Sequence, residues 1–336
     1  MKIQDVAKKA NVGVGTVSRV LNNNGYVSEK TRKKVEAAIE ELQYTPNELA
    51  RNLYHKKTNT IAVIVPDISN PFYSSLVNEI EQYLRMQGYK TLLCNTVGEK
   101  TNEALYLNML ERNMVDGVLT ATHSLDGKKY ERISGPVVSF DTPILCEKIP
   151  VITVNHQEGG KMAAQELLKA GCKHVLQFRD DVSKKFPYFS RHEEFEQVIN
   201  QSGGICENYI TKWDCFEDDY YERLVRECVE QYPEIDGIFA TDMLAAIYMK
   251  VVQEKGKRIP EDIKVIAYDG TWLKNAVYPT LTYVKQPISD IAKVGVDVLM
   301  KMIQGESIQE KEIQLPVSLK TGMTTGHRRE KGKENE

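Results

Sequence analysis

Five aspartates stand immediately after short apolar runs: Asp67 after Pro66, Asp141 after Phe140, Asp214 after Lys212-Trp213, Asp242 after Thr241 and Asp269 after Tyr268. Carboxylates at the ends of buried strands, with aromatics such as Phe72, Phe140, Trp213 and Tyr268 beside them, suit a sugar. Their oxygens accept hydroxyl protons, and ring faces cover C–H surfaces. A single aspartate after a strand is more often a turn or a helix cap; several converging on one place favour a site. A second constellation lies near the N-terminus. Thr16, Ser18, Arg19 and Asn22 share the polar side of a short apolar-periodic stretch, Val14–Asn22. Hydroxyls, an amide and one guanidinium on a short helix can contact phosphates and base edges in a DNA major groove, with arginine suited to guanine.

Other chemistry lacks support. His123, His156, His174 and His192 have no metal-ligand spacing and read as satisfied polar histidines. Gly159-Gly160 opens a helix, but GxGxxG and GxxxxGK are absent, so a nucleotide site is not indicated. Nothing supplies a catalytic base, metal or cofactor fingerprint. The expectation is a protein without catalytic residues, metal or cofactor.

These residues need elements to hold them. In Asp5–Asn22, Val6 and Ala10 mark one helical face and Val17, Val20 and Leu21 a second. Asn11 sits between them, and Asn tolerates positive φ, so two short helices meet at a sharp turn. Ser28 caps a third helix with Val35, Ile39 and Leu42 inward and Lys30, Arg32, Lys33 and Lys34 at its start. Residues 1–57 carry 11 Lys/Arg against 6 Asp/Glu, and the remainder 33 against 41. A basic head on an acidic body fits one end touching phosphates. Pro46–Tyr54 reads as a short, weakly helical basic segment that could fold on reaching DNA.

Beyond residue 58, strand-like runs alternate with helical segments about ten times. Strands are expected at 60–66, 90–95, 116–122, 136–141, 151–155, 174–179, 208–212, 237–241, 264–268 and 281–285. The interleaved helices include 72–87, 102–112, 159–170, 246–255 and 288–303. That alternation predicts two doubly wound parallel sheets, with ligands beyond the carboxyl ends of strands. No apolar run is long enough to cross a bilayer, the charged N-terminus is not a signal peptide, and six scattered cysteines suggest a reduced, cytoplasmic protein.

Three linked motifs in the head carry a family resemblance: Val-Gly-Thr-Val-Ser-Arg-Val-Leu-Asn, Val-Ser-Glu-Lys-Thr-Arg-Lys-Lys-Val and Tyr-Thr-Pro-Asn-Glu-Leu-Ala-Arg-Asn-Leu. Ile-Val-Pro-Asp-Ile-Ser-Asn-Pro-Phe-Tyr, Asp-Gly-Ile-Phe-Ala-Thr-Asp and Ile-Ala-Tyr-Asp-Gly extend it through the body. Together they resemble the LacI/GalR family of bacterial repressors over nearly the whole chain. The resemblance implies a helix-turn-helix domain at 1–46, a hinge helix and linker at 47–58 and a two-lobed periplasmic-binding-protein-like core at 59–322. Lobe 1 would comprise about 59–155 and 287–320, and lobe 2 about 156–286, with crossings near 155–157, 283–287 and 320. A charged tail would follow at 323–336.

Carried over by position, Val14 and Gly15 take base-reading slots, while Thr16, Ser18, Arg19 and Asn22 match groove and phosphate contacts. Asn47, Ala50 and Leu53 fall in the hinge helix, Leu53 as the minor-groove wedge. Phe72, Asp141, Arg191, Trp213, Asp242, Asp269 and Gln286 line the effector cleft. Arg191 would lie on a loop, a fork for vicinal hydroxyls.

The implied partners are a double-stranded, pseudo-palindromic operator, a small sugar and a second copy of the chain, with no membrane. A tail without leucine heptads favours a dimer over a tetramer. Departures are Gly13 where Ser is usual, Lys2 where Thr often caps, and Asp141 followed by Thr rather than Arg. Arg-Asn-Leu-Tyr-His-Lys-Lys-Thr and Leu-Pro-Val-Ser-Leu resemble the branch controlling ribose and sucrose operons, which favours a pentose or furanose-containing sugar. The alternative is a global carbon-catabolite regulator controlled by a protein partner.

Overall fold

A computed structural model describes residues 1–45, 57–96, 100–122, 130–131, 133–142, 148–180, 186–212 and 219–326. The chain divides into two compact units, Met1–Thr58 and Asn59–Glu336.

The head is three helices: α1 Ile3–Ala10, α2 Val14–Leu21 and α3 Glu29–Glu41. Asn11 ends α1 in the left-handed region at φ 54°, which turns the chain sharply into α2. Val6, Ala7, Ala10, Val17, Val20, Val35 and Ala38 form the core, and Ile39 and Leu42 pack against it. Ser28 caps α3 by accepting from the Thr31 N–H.

The body contains two six-stranded sheets, each flanked by helices. The first uses β1 Thr60–Val65, β2 Lys90–Asn95, β3 Gly117–Thr120, β4 Val137–Phe140, β5 Val151–Val154 and β11 Glu312–Leu315, in the order β11-β5-β4-β3-β1-β2. The second uses β6 His174–Asp180, β7 Ile205–Thr211, β8 Gly237–Thr241, β9 Lys264–Asp269, β10 Thr282–Lys285 and β12 Ser318–Lys320, in the order β12-β10-β9-β8-β6-β7. All neighbours run parallel except β10 and β12. The central strands are apolar runs because helices cover both faces.

The helices are α4 Pro71–Met86, α5 Lys100–Glu111, α6 His156–Lys169, α7 Ser190–Gln201, α8 Tyr220–Gln231, α9 Asp242–Glu254 and α10 Ile288–Ile303. Lobe 1 is built on the first sheet and lobe 2 on the second. The chain crosses between them before α6, between β10 and α10, and between Leu315 and Ser318. The last crossing precedes the expected position near residue 320, because β12 already pairs with β10 of lobe 2.

The expected tail from residue 323 also needs correction at its start. Thr324 donates from Oγ1 to the Val265 carbonyl, and Thr325 from Oγ1 to Glu166, so both are buried in lobe 2. The rest of the expected tail, 327–336, lies outside the described residues.

Candidate functional site

Two places gather the candidate residues. On the head, Val14, Gly15 and Arg19 are exposed, while Thr16, Ser18 and Asn22 are half-buried beside them on α2. Val17 and Val20 anchor the opposite side in the core. The Asn22 amide donates to the Ser18 hydroxyl at 3.3 Å. Arg19 has no side-chain partner among the described residues. Gly13 caps α2 with backbone alone, and a Cβ at Gly15 would meet nothing within 4 Å. Gly15 is therefore not demanded by packing inside the head. Asn47, Ala50 and Leu53 lie outside the described residues.

The second place is a cavity of about 180 Å³ in the body, lined from both lobes. Lobe 1 contributes Phe72 at the start of α4 and Asp141 after β4. Lobe 2 contributes Arg191, Asp269 as the last residue of β9 and Gln286 at the second crossing. Five of the seven expected effector residues thus meet. Arg191 lies in the first turn of α7 rather than on a loop. Trp213 is outside the described residues.

Asp242 is the exception, because it does not line this cavity. It opens α9, and its Oδ2 accepts from the Thr271 N–H at 2.5 Å and hydroxyl at 2.7 Å. That oxygen secures the turn after β9, while Oδ1 is buried with no hydrogen-bond partner among the described residues. Asp67 likewise closes its own turn, accepting from the Ser69 N–H and hydroxyl.

The two cavity carboxylates differ. Asp141 sits at φ 52°. Burial pushes its carboxyl up, but the contacts with His156 and Thr153 and the charge of Arg191 outweigh that and hold it below the ordinary carboxylate range. It accepts from Thr153 Oγ1 at 2.6 Å and lies 2.9 Å from His156 Nε2. Asp269 sits at φ 113°, an uncommon conformation for a residue with a side chain. Burial, then the nearby Asp242 charge, push its carboxyl up to about 7, against the Arg191 charge and a hydrogen bond from Gln286. Gln286 donates from Nε2 to Asp269 Oδ1 at 2.8 Å, and its own Oε1 is a buried acceptor without a protein donor among the described residues.

Sequence reasoning missed the bridge behind these groups. His156, in the first crossing, contacts Asp141 of lobe 1 through Nε2 and the Tyr268 hydroxyl of lobe 2 through Nδ1, both at 2.9 Å. A neutral imidazole satisfies both if Nε2–H donates to Asp141 and Tyr268 donates to Nδ1. The Arg191 guanidinium stacks 4.3 Å from the Tyr268 ring centroid. As expected for a satisfied polar histidine, His156 has two partners, but those partners belong to the two lobes. The overlooked signal was its place at the predicted crossing.

Gly159 and Gly160 explain how α6 approaches so closely. A Cβ on Gly159 would lie 2.8 Å from the Tyr268 ring, and one on Gly160 would lie 2.0 Å from the Arg191 carbonyl oxygen. The pair is a packing device that sets Arg191 and Tyr268.

A three-helix head of helix-turn-helix form and a two-lobed body with a cavity between its sheets are the architecture of a DNA-binding transcription regulator. Residues 2–47 match the family described as bacterial regulatory proteins, lacI family, and residues 164–325 match the periplasmic binding protein-like domain. The chain is 38% identical over 334 residues to the ribose operon repressor of Halalkalibacterium halodurans, covering 99% of this chain and 98% of that one. It is 39% identical over 327 residues to the sucrose operon repressor of Streptococcus mutans serotype c, covering 96% and 98%. Among solved structures, it resembles a periplasmic binding protein/LacI transcriptional regulator from Alkaliphilus metalliredigens complexed with D-xylulofuranose. The TM-score there is 0.71 at 29% identity, over 79% of this chain and 98% of that one. The chain belongs to the LacI family of bacterial regulatory proteins. It is a DNA-binding regulator, not an enzyme.

Proposed function

We propose that this protein represses sugar-utilisation genes and is switched by a small sugar held between the two lobes, a pentose or furanose-containing sugar. The observation that carries the reading is the meeting of Phe72, Asp141, Arg191, Asp269 and Gln286 around one cavity. Asp141 and Asp269 accept hydroxyl protons, Arg191 forks onto oxygens, and Phe72 covers a C–H face. The buried Gln286 Oε1 takes one further hydroxyl. A volume of about 180 Å³ is below the roughly 300–1,000 Å³ of drug-sized sites, which suits one sugar ring better than two. The relatives named for ribose and sucrose operons and the neighbour holding D-xylulofuranose support the same class.

In this reading Val14, Thr16, Ser18, Arg19 and Asn22 meet the operator, and Gly15 lets the DNA backbone or a base edge come close. Asn47, Ala50 and Leu53 form the hinge contact. A homodimer places two heads about one helical turn apart, ~34 Å, on a pseudo-palindromic operator. Asp242 acts by positioning Thr271 and raising the Asp269 carboxyl.

A thermal-shift screen of the full chain against pentoses, hexoses and disaccharides tests this. A pentose or single furanose should raise Tm, and Asp141→Asn should abolish the shift. Intact operator binding with no stabilising sugar would overturn sugar control and favour control by a protein partner.

A further inference from the structure

We infer that the sugar taken by this cavity carries a phosphoryl group, held by Arg179 and Lys212 on the lobe-2 wall. The inference rests on the cavity being the sugar site. Strands β6 and β7 end side by side, with Arg179 in register with Ile210 and Asp180 with Thr211. The Thr211 hydroxyl donates to the Arg179 carbonyl at 3.3 Å, which ties the two ends together. Arg179 and Lys212 therefore leave adjacent strand ends, and both line the cavity that holds Arg191.

Arg179 is half-buried and Lys212 exposed. Among the described residues no carboxylate forms an ion pair with Arg179 or Lys212. Surface cations such as Arg226 and Arg258, by contrast, are paired. The Arg179 guanidinium lies 5.6 Å from the Phe189 ring centroid, which fixes one face, and its Nε is buried without an acceptor. Asp180, the acid on the same strand end, accepts from the Tyr188 hydroxyl at 3.0 Å. Asp180 also lines the cavity, so the wall carries Arg179 and Lys212 beside one acid that is already engaged by Tyr188.

A partly buried guanidinium with no ion-pair partner among the described residues favours an anion at its open edge. The hydroxyls of a neutral sugar are already served by Asp141, Asp269, Arg191 and Gln286. A second fixed guanidinium with a lysine at its side matches a phosphoryl dianion, which accepts charge-assisted hydrogen bonds from both.

Titration calorimetry on the full chain with D-ribose, D-ribose 5-phosphate, D-fructose, D-fructose 6-phosphate and inorganic phosphate decides the matter. At least one phosphate ester should bind 10-fold or more tighter than its parent sugar. Arg179→Met should erase that margin while leaving the parent sugar within twofold, and Asp141→Asn should weaken both. Parent sugar binding as tightly as the ester, a margin that survives Arg179→Met, or inorganic phosphate alone binding as well as the ester would overturn the phosphoryl inference and leave the sugar site standing. Failure of every sugar and ester to bind would overturn both.

Discussion

At the scale of single residues, the two cavity aspartates are set up for opposite behaviour with pH. Asp141 is kept ionised by His156, Thr153 and Arg191 despite its burial. Asp269 is pushed up to about 7 by burial and by Asp242. A folded carboxyl above its unfolded range keeps a proton that the unfolded chain has released. Stability from this group therefore falls as pH rises from the ordinary carboxylate range through about 7. Asp269→Asn should raise Tm of the sugar-free protein at pH 8 and leave it little changed at pH 5. A lower Tm at pH 8 would contradict that assignment.

The same variant should lose sugar affinity, because an amide accepts hydroxyl protons less well than a carboxylate. In the native chain, affinity should rise with pH, by no more than about tenfold per unit below the pKa. These aspartates were legible in the sequence because each follows an apolar strand. The divergence of Asp242 from them was not, since its partner, Thr271, lies 29 residues away.

At the scale of elements, the first crossing and the start of α7 form one unit. His156→Leu removes the partner of both the Tyr268 hydroxyl and Asp141. It should cost about 1–3 kcal/mol in urea unfolding, the range for stranding a buried polar group. Gly160→Ala forces a Cβ against the Arg191 carbonyl, 2.0 Å away without movement. It should cost about 1–3 kcal/mol as overpacking and weaken sugar binding by displacing Arg191. Unchanged unfolding with unchanged sugar affinity would show that α6 does not set Arg191.

On the head, Gly15→Ala should be neutral or stabilising, because glycine in a helix costs up to about 1 kcal/mol relative to alanine and the new methyl has open space. Any loss should appear in operator binding alone. The Gly-Gly pair was visible in the sequence as a helix start, but its reason was not. Close approach between α6 and α7 brings together residues about thirty apart in the chain. Likewise the two parallel sheets and the two lobes followed from βα alternation, whereas the last crossing depended on a three-residue strand, Ser318–Lys320, too short to read from periodicity.

At the scale of the whole molecule, the proposed function couples DNA binding by the head to sugar binding in the body. The hydrogen bonds Asp141–His156–Tyr268 already tie lobe 1 to lobe 2, so a ligand touching Asp141 and Arg191 acts on a bridge that exists without it. Arg19→Ala should abolish the preference for operator over random DNA and leave weak, salt-sensitive binding; equal loss on both DNAs would remove Arg19 from base reading. Linkage requires that a sugar changing operator affinity by some factor has its own affinity changed by operator by the same factor. The most direct test measures both: operator titration with and without saturating sugar, and sugar titration with and without operator duplex. The two ratios should agree, differ from one by about 5-fold or more, and collapse to one in His156→Leu. Tight sugar binding in the cleft with operator affinity unchanged would contradict the account.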